Sequence, residues 1–237
     1  MKDTSTPQPA LLARGLTKSF RNGPATIDVV RDLDITVNQG AFTLIKGPSG
    51  CGKSTLLAML AGLTPPDSGT VMAGETSLWS LSRKARDAFR LAHMGFIFQG
   101  SILLPSLSAR EQVAFVLREM GIKRRDARAC AEEALRNVGL GDRMRLLPAA
   151  LSGGEKQRVS VACALAKYPR VIFADEPTSA LDSENGQLVA SRLRDLARQS
   201  GVAVVCVTHD DRLTPFADRI LQMEDGRILG IQTRESS

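Results

Sequence analysis

Apolar positions along the chain fall into two patterns. Four short runs rich in β-branched and aromatic residues have the length and composition of strands: "AFTLIK" (41–46), "MGFIF" (94–98), "RVIFA" (170–174) and "VAVVCVT" (202–208). The last two are apolar enough to be buried on both faces. Elsewhere the composition is helical, in "KSTLLAMLA" (53–61), which stops at Gly62, and over about 106–167, which holds "SAREQVAFVLREM" and "RRDARACAEEALRNVG". "TPPDSG" (64–69) reads as a turn. Strands alternating with helices predict an α/β fold around a parallel sheet, with the 106–167 stretch inserted as a helical piece. Residues 1–10, polar with two prolines, read as a disordered tail ahead of one domain that has no repeat and no linker.

In such sheets ligands gather beyond the carboxyl ends of the strands. The four strands are followed at once by Gly47, by Gln99, by Asp175 with Glu176, and by His209, so polar and ionisable groups collect at one edge. The first of these ends opens "GPSGCGKST", comprising Gly47, Pro48, Ser49, Gly50, Cys51, Gly52, Lys53, Ser54 and Thr55, with a strand before it and a helix after it. Glycines let backbone N–H groups approach phosphate oxygens, and the helix start adds its unpaired N–H groups and the positive end of its dipole. Lys53 would neutralise the outer phosphates and the Ser54 hydroxyl would bind Mg²⁺. Asp175, at the end of an apolar strand, supplies a second oxygen for the metal, and Glu176 is placed to take a proton from an attacking water.

A second glycine-rich helix opener stands about a hundred positions later. In "LSGGEKQR" (151–158), Ser152 and Glu155 fit a capping box, and Val159, Ala162, Cys163 and Ala166 recur on one face. Capping explains the serine and the glutamate. It does not explain Gly153 and Gly154, because glycine at the start of a helix costs about 1 kcal/mol relative to alanine. Exposed N–H groups beside a serine hydroxyl make a second place for an anion.

These residues resemble the motifs of the ATP-binding-cassette (ABC) ATPases, in that family's order, over about residues 11–230. Residues 47–55 look like the Walker A loop, Gln99 like the Q-loop glutamine, and residues 151–158 like the signature sequence. Residues 171–176 resemble the Walker B strand with its catalytic glutamate, "SALD" (179–182) the D-loop, and His209 the switch histidine. The resemblance implies a P-loop NTPase core of RecA-like type over about 11–98 and 168–230, with an N-terminal antiparallel β element and a helical subdomain over about 99–167. It implies ATP and Mg²⁺ as cofactors, Glu176 as the base, His209 at the γ-phosphate, and Ser54, Asp175 and Gln99 around the metal. Phe20 stands where the family's early aromatic stacks on adenine. It also implies a homodimer in which Ser152, Gly153, Gly154 and Asp182 act on the partner's nucleotide, which accounts for the second anion site.

Within the family a single compact cassette most resembles the ATP-driving subunit of a transporter, with its permease on a separate chain. "SALDSENG" and "FADRILQMEDGRI" are similar to the subgroup of lipoprotein-release, macrolide-efflux and DevA-type glycolipid-export ATPases, which implies export or extraction of a lipophilic substrate at the cytoplasmic face of the inner membrane. Composition changes this picture little. The longest apolar runs fall short of the ~20 residues that span a bilayer, the N-terminus has no apolar signal segment, and four scattered cysteines suit a reducing compartment. The net charge of +6 would also suit a nucleic-acid- or ribosome-linked ABC ATPase. No nucleic-acid partner is expected, however, because the densest basic cluster, "KRRDAR" (123–128), has no interleaved aromatics. That cluster reads as a solvated helix face, or as one that meets a membrane surface or a partner.

Overall fold

The computed structural model describes residues 9–179 and 181–234. A long hairpin, β1 (Leu11–Asn22) and β2 (Ala25–Val37), leads to β3 (Phe42–Lys46) and α1 (Lys53–Leu60). β4 (Ser68–Ala73) and the two-residue β5 (Thr76–Ser77) return beside β1, and α2 (Arg83–His93) enters β6 (Met94–Ile97). Three helices follow, α3 (Ala109–Glu119), α4 (Arg124–Asn137) and α5 (Gly153–Leu165), before β7 (Val171–Asp175). The chain closes with α6 (Ser183–Ser200), β8 (Ala203–Val207) and the hairpin β9 (Arg219–Glu224) and β10 (Arg227–Thr233).

The strands form two sheets. One is antiparallel, in the order β2-β1-β4-β5, and the other runs β10-β9-β3-β8-β7-β6, parallel except for the edge strand β10. The four runs read as strands all lie in the second sheet, next to one another. β7 as far as Ala174, and all of β8, are apolar because the sheet separates two cores and each strand feeds both by its two-residue period. Ile172, Ala174, Val204 and Cys206 pack toward α3, α4, α5 and α6, whereas Phe173, Ala203, Val205 and Val207 pack toward α1 and the antiparallel sheet. Each large side chain buried this way contributes about 1.5–3 kcal/mol, so the sheet is the stiff base on which its carboxyl edge is displayed.

Two expectations need adjustment. Residues 1–8 of the tail lie outside the described residues, but Ala10 is buried and its carbonyl accepts the Gly74 N–H at 3.2 Å, so order begins before residue 11. At the other end β10 runs to Thr233, beyond residue 230. Three helices stand between β6 and β7 where the insert was expected, and α3 and α5 each begin with a complete capping box, Ser108 with Glu111 and Ser152 with Glu155.

Candidate functional site

β3, β6, β7 and β8 are adjacent and parallel, so their ends deliver Gly47, Gln99, Asp175 with Glu176, and His209 to one edge of the sheet. Phe96 stacks on both Phe98 and Phe173 with ring centroids 5.6 Å apart, which fixes the end of β6 beside β7 and leaves Gln99 exposed just beyond it.

The phosphate loop turns tightly over the sheet. A Cβ on Gly47 would lie 2.0 Å from the Met223 carbonyl oxygen, and one on Gly52, where φ is 101°, would lie 2.3 Å from that of Val29. Only glycine fits at either position. Pro48, Ser49 and Gly50 form an exposed rim, whereas Cys51 is buried beneath it, with its sulfur 3.8 Å from the Lys53 ammonium. Gly52 caps α1 without any side-chain hydrogen bond, and the first N–H groups of that helix therefore lack a side-chain acceptor from the chain.

Lys53 is buried, and its ammonium donates to the Gly47 and Pro48 carbonyls at 2.8 Å each. Among the described residues no carboxylate lies within ion-pair distance of it. A buried cation balanced by two carbonyl dipoles and, at 3.8 Å, the Cys51 sulfur, with no carboxylate, is a place made for an external anion. Beside it the Ser54 hydroxyl donates to Asp175 Oδ1 at 3.1 Å. Burial raises the Asp175 pKa, against the opposing Ser54 hydrogen bond, and a bound cation would reverse that direction. A hydroxyl beside one carboxylate suits a hard divalent ion whose remaining ligands are phosphate and water oxygens. No cluster of three or more His, Cys, Asp or Glu side chains that could cage a metal occurs among the described residues.

Glu176 is buried and sits at φ 48°, a left-handed conformation rarely adopted by a non-glycine residue. Its backbone N–H donates to Val207 at 2.9 Å, and its carboxylate accepts the Thr208 hydroxyl at 2.7 Å and the His209 N–H at 3.1 Å. His209 Nδ1 lies 2.8 Å from Glu176 Oε1; toward an ionised carboxylate that nitrogen carries the proton, which leaves Nε2 as the outward acceptor. The strain at Glu176 is thus held in place by the end of β8.

Thr208, Thr178, Asp210 and Arg212 complete this arrangement, and the sequence reading passed over all four. Thr208 accepts the Asp210 N–H at 3.0 Å, and Asp210 in turn accepts the Thr178 hydroxyl at 2.7 Å and pairs with Arg212 at 2.7 Å. Burial opposes ionisation of Asp210, yet the Arg212 and Thr178 hydrogen bonds outweigh it and bring the pKa down to about 2. No linear motif announces these residues. Thr208 looked like the last residue of an apolar strand.

The remaining predicted residues lie elsewhere. Phe20 is 45% exposed, with Lys18 over its ring at 5.5 Å. β1 is interior, but Phe20 falls beyond the part paired with β4, near the turn of the β1–β2 hairpin, where it is paired with Ile27. Ser152 caps α5, and a Cβ on Gly153 would meet nothing within 4 Å. No hydrogen bond joins Ser152 to the phosphate loop among the described residues. Asp182 accepts the Asn185 N–H at 2.8 Å and its side-chain amide at 2.7 Å, which caps α6. Within the D-loop stretch 179–182, Ala180 lies outside the described residues.

Known proteins resemble this chain over most of its length. The family model described as ABC transporter matches residues 30–179. A Staphylococcus haemolyticus protein named hemin import ATP-binding protein HrtA is 41% identical over 92% of this chain and 99% of its own length. Its Staphylococcus aureus counterpart, from strain MRSA252, is 38% identical over the same shares. Among solved structures, the dimeric post-hydrolysis state of the ATP-binding cassette MJ0796 bound to ADP and Pi superposes with a TM-score of 0.91 at 32% identity, covering 96% of this chain and 100% of that one.

The Asp210 network yields a pH prediction. A carboxyl with a depressed folded-state pKa contributes stability above its unfolded value of about 3.9, and that contribution disappears as pH falls through about 2. Asp210→Asn should therefore lower the thermal midpoint at pH 7, by about 2–4 °C for each kcal/mol lost at this chain length. Near pH 2 the variant and the parent should melt together. Calorimetry across this range checks it, and an equal deficit at both pH values would contradict the assignment.

Proposed function

The chain belongs to the ABC transporter family as an ATP-binding, ATP-hydrolysing subunit, and from that premise we propose that two copies close on ATP to drive a membrane permease carried on a separate chain. The observation that carries the reading is the buried, unpaired Lys53 ammonium beside a strained, buried Glu176. One group awaits phosphate, and the other is aimed where a water would attack it.

In this reading Lys53, the loop N–H groups and the start of α1 hold the phosphates, and Phe20 stacks on the base. Mg²⁺, held by Ser54, Asp175 and Gln99, would neutralise phosphate charge. Glu176 takes the proton of the attacking water, positioned by Thr208 and His209, and His209 offers Nε2 toward the γ-phosphate side. Ser152, Gly153 and Gly154 bind the nucleotide of the other copy, with Asp182 beside them. The open space at Gly153 supports this, since nothing in the same chain claims it. The similar cassette MJ0796 is solved as a dimer, which supports the pairing.

No helix among the described residues is long and apolar enough to cross a membrane, so a permease would be a separate chain. Its docking surface would be the exposed apolar group that follows Gln99, namely Ile102 and Leu104, together with Leu147, which directly follows the segment bonded to the start of α3. The subunit would then sit at the cytoplasmic face of the membrane. For cargo we favour export or extraction of a lipophilic molecule. The relatives' name favours a second reading, import of hemin.

Glu176→Gln should reduce turnover by about 10²–10⁴-fold while retaining ATP binding, and should accumulate an ATP-bound dimer in size-exclusion scattering. Lys53→Ala should weaken ATP binding itself by about 10–100-fold, the worth of a charge-assisted hydrogen bond. Gly153→Ala separates fold from function: helix propensity favours alanine by about 1 kcal/mol, so the melting temperature holds or rises, while turnover at saturating ATP falls by up to about 10²-fold through misplacement across the seam. In inside-out vesicles containing the permease, ATP-driven hemin accumulation would establish export, and ATP-driven loss of preloaded hemin would establish import. ATPase activity stimulated by nucleic acid and indifferent to the permease would overturn the transport reading.

A further inference from the structure

The basic cluster at 123–128 plays no part in the ATP site. In the structure it borders a groove of about 210 Å³ between α3 and α4, lined by Leu107, Arg110, Glu111, Ala114, Phe115, Arg118, Arg124 and Arg128. Four guanidinium groups thus face one small cavity against a single carboxylate.

That carboxylate is already engaged. Glu111 accepts the Ser108 N–H at 2.9 Å and its hydroxyl at 2.6 Å, the capping box of α3. Arg110 and Arg128 share Glu132, at 3.0 and 3.3 Å, and Arg136 reaches the same carboxylate at 3.7 Å. Three guanidinium groups on one carboxylate leave positive charge in excess. Arg118 and Arg124 have no ion pair among the described residues. Arg124 opens α4, whose N-cap Lys123 supplies no side-chain acceptor, so the start of that helix adds its N–H groups to the field. Asp126, in the same turn, is exposed.

The chemistry of the walls selects the ligand. Planar guanidinium forks match phosphate oxygens, and several together hold a phosphate better than a carboxylate. A helix about 10 Å across does not fit this space, which disfavours a folded peptide segment. One wall is apolar: Phe115 in the groove is 43% exposed, and Ile122 in the α3–α4 turn is 38% exposed. Exposed apolar side chains among arginines suit the boundary between headgroups and acyl chains.

We propose that the α3–α4 groove binds the phosphate of an anionic phospholipid, with Arg118 and Arg124 as its principal ligands and Phe115 against the lipid. The site is independent of the nucleotide and of any permease, so it is testable on the chain alone. The probe is flotation with vesicles of about one part phosphatidylglycerol to three parts phosphatidylcholine at near-physiological salt, compared with phosphatidylcholine alone. Each Lys or Arg near an anionic surface contributes about 1 kcal/mol, so Arg118→Glu with Arg124→Glu should lower the partition coefficient tenfold or more. Arg83→Glu with Lys84→Glu, the same charge change on exposed positions of α2, should change it less than threefold. Circular dichroism and ATPase rate confirm that both variants are folded. Equal losses in the two variants would reduce the effect to net charge and overturn the site. So would complete release of the chain from the vesicles by millimolar glycerol phosphate at constant ionic strength, which would assign the groove to a soluble phosphate ester. Binding of a glutamate-rich peptide without vesicle binding would overturn it in favour of a protein partner.

Discussion

Lys53 is the constraint around which the active edge is organised. An ammonium buried against two carbonyls and a thiol sulfur, with no carboxylate among the described residues, is costly on its own, and the tightly walled loop imposes that arrangement. The contacts that enforce this come from distant parts of the sequence: Met223 on β9 walls Gly47, and Val29 on β2 walls Gly52. Both sheets therefore meet at the phosphate loop. That is why the antiparallel hairpin, which contributes no charged group to the chemistry, is still part of the site.

Glu176 shows the same logic with the sign reversed. Its backbone strain and its buried charge are both met from β8, through Val207, Thr208 and His209, and the Asp210 to Arg212 turn anchors those in place. The turn that follows Glu176 is bonded back to it, since Ser179 donates to the Glu176 carbonyl through both N–H and hydroxyl, at 3.3 and 3.0 Å. The start of the turn toward Asp182 is thereby tied to the backbone of the base.

Much of this was legible in the sequence, for definable reasons. The parallel strands were visible because burial on both faces writes uninterrupted apolar runs, and the ligand groups were visible because each sits directly after such a run. The hairpin strands were not. β1 carries three register shifts and β2 exposes Asp28, Arg31 and Asp34, so neither keeps a clean alternation. β9 and β10 were also missed as strands, "RILQME" and "RILGIQT" being too polar to stand out. Thr208 and Thr178 belong to the site only through bonds that cross from one strand end to another, and no spacing rule along a single chain encodes such a crossing.

The two glycine-rich openers answer different needs, and the structure separates them. Glycine is required at 47 and 52 because the chain's own backbone occupies the space a side chain would take. At Gly153 nothing of the chain is near, yet the capping box beside it is complete, so neither packing nor helix initiation calls for glycine there. What distinguishes that position is an unobstructed backbone at the positive end of a 13-residue helix, sharing no hydrogen bond with the chain's own phosphate loop. A feature built for close approach and not used internally has its counterpart on another molecule. On the function proposed above, that counterpart is the nucleotide held by a second copy: the similar cassette MJ0796 is solved as a dimer, and a two-fold pair presents the same surface patch from both copies.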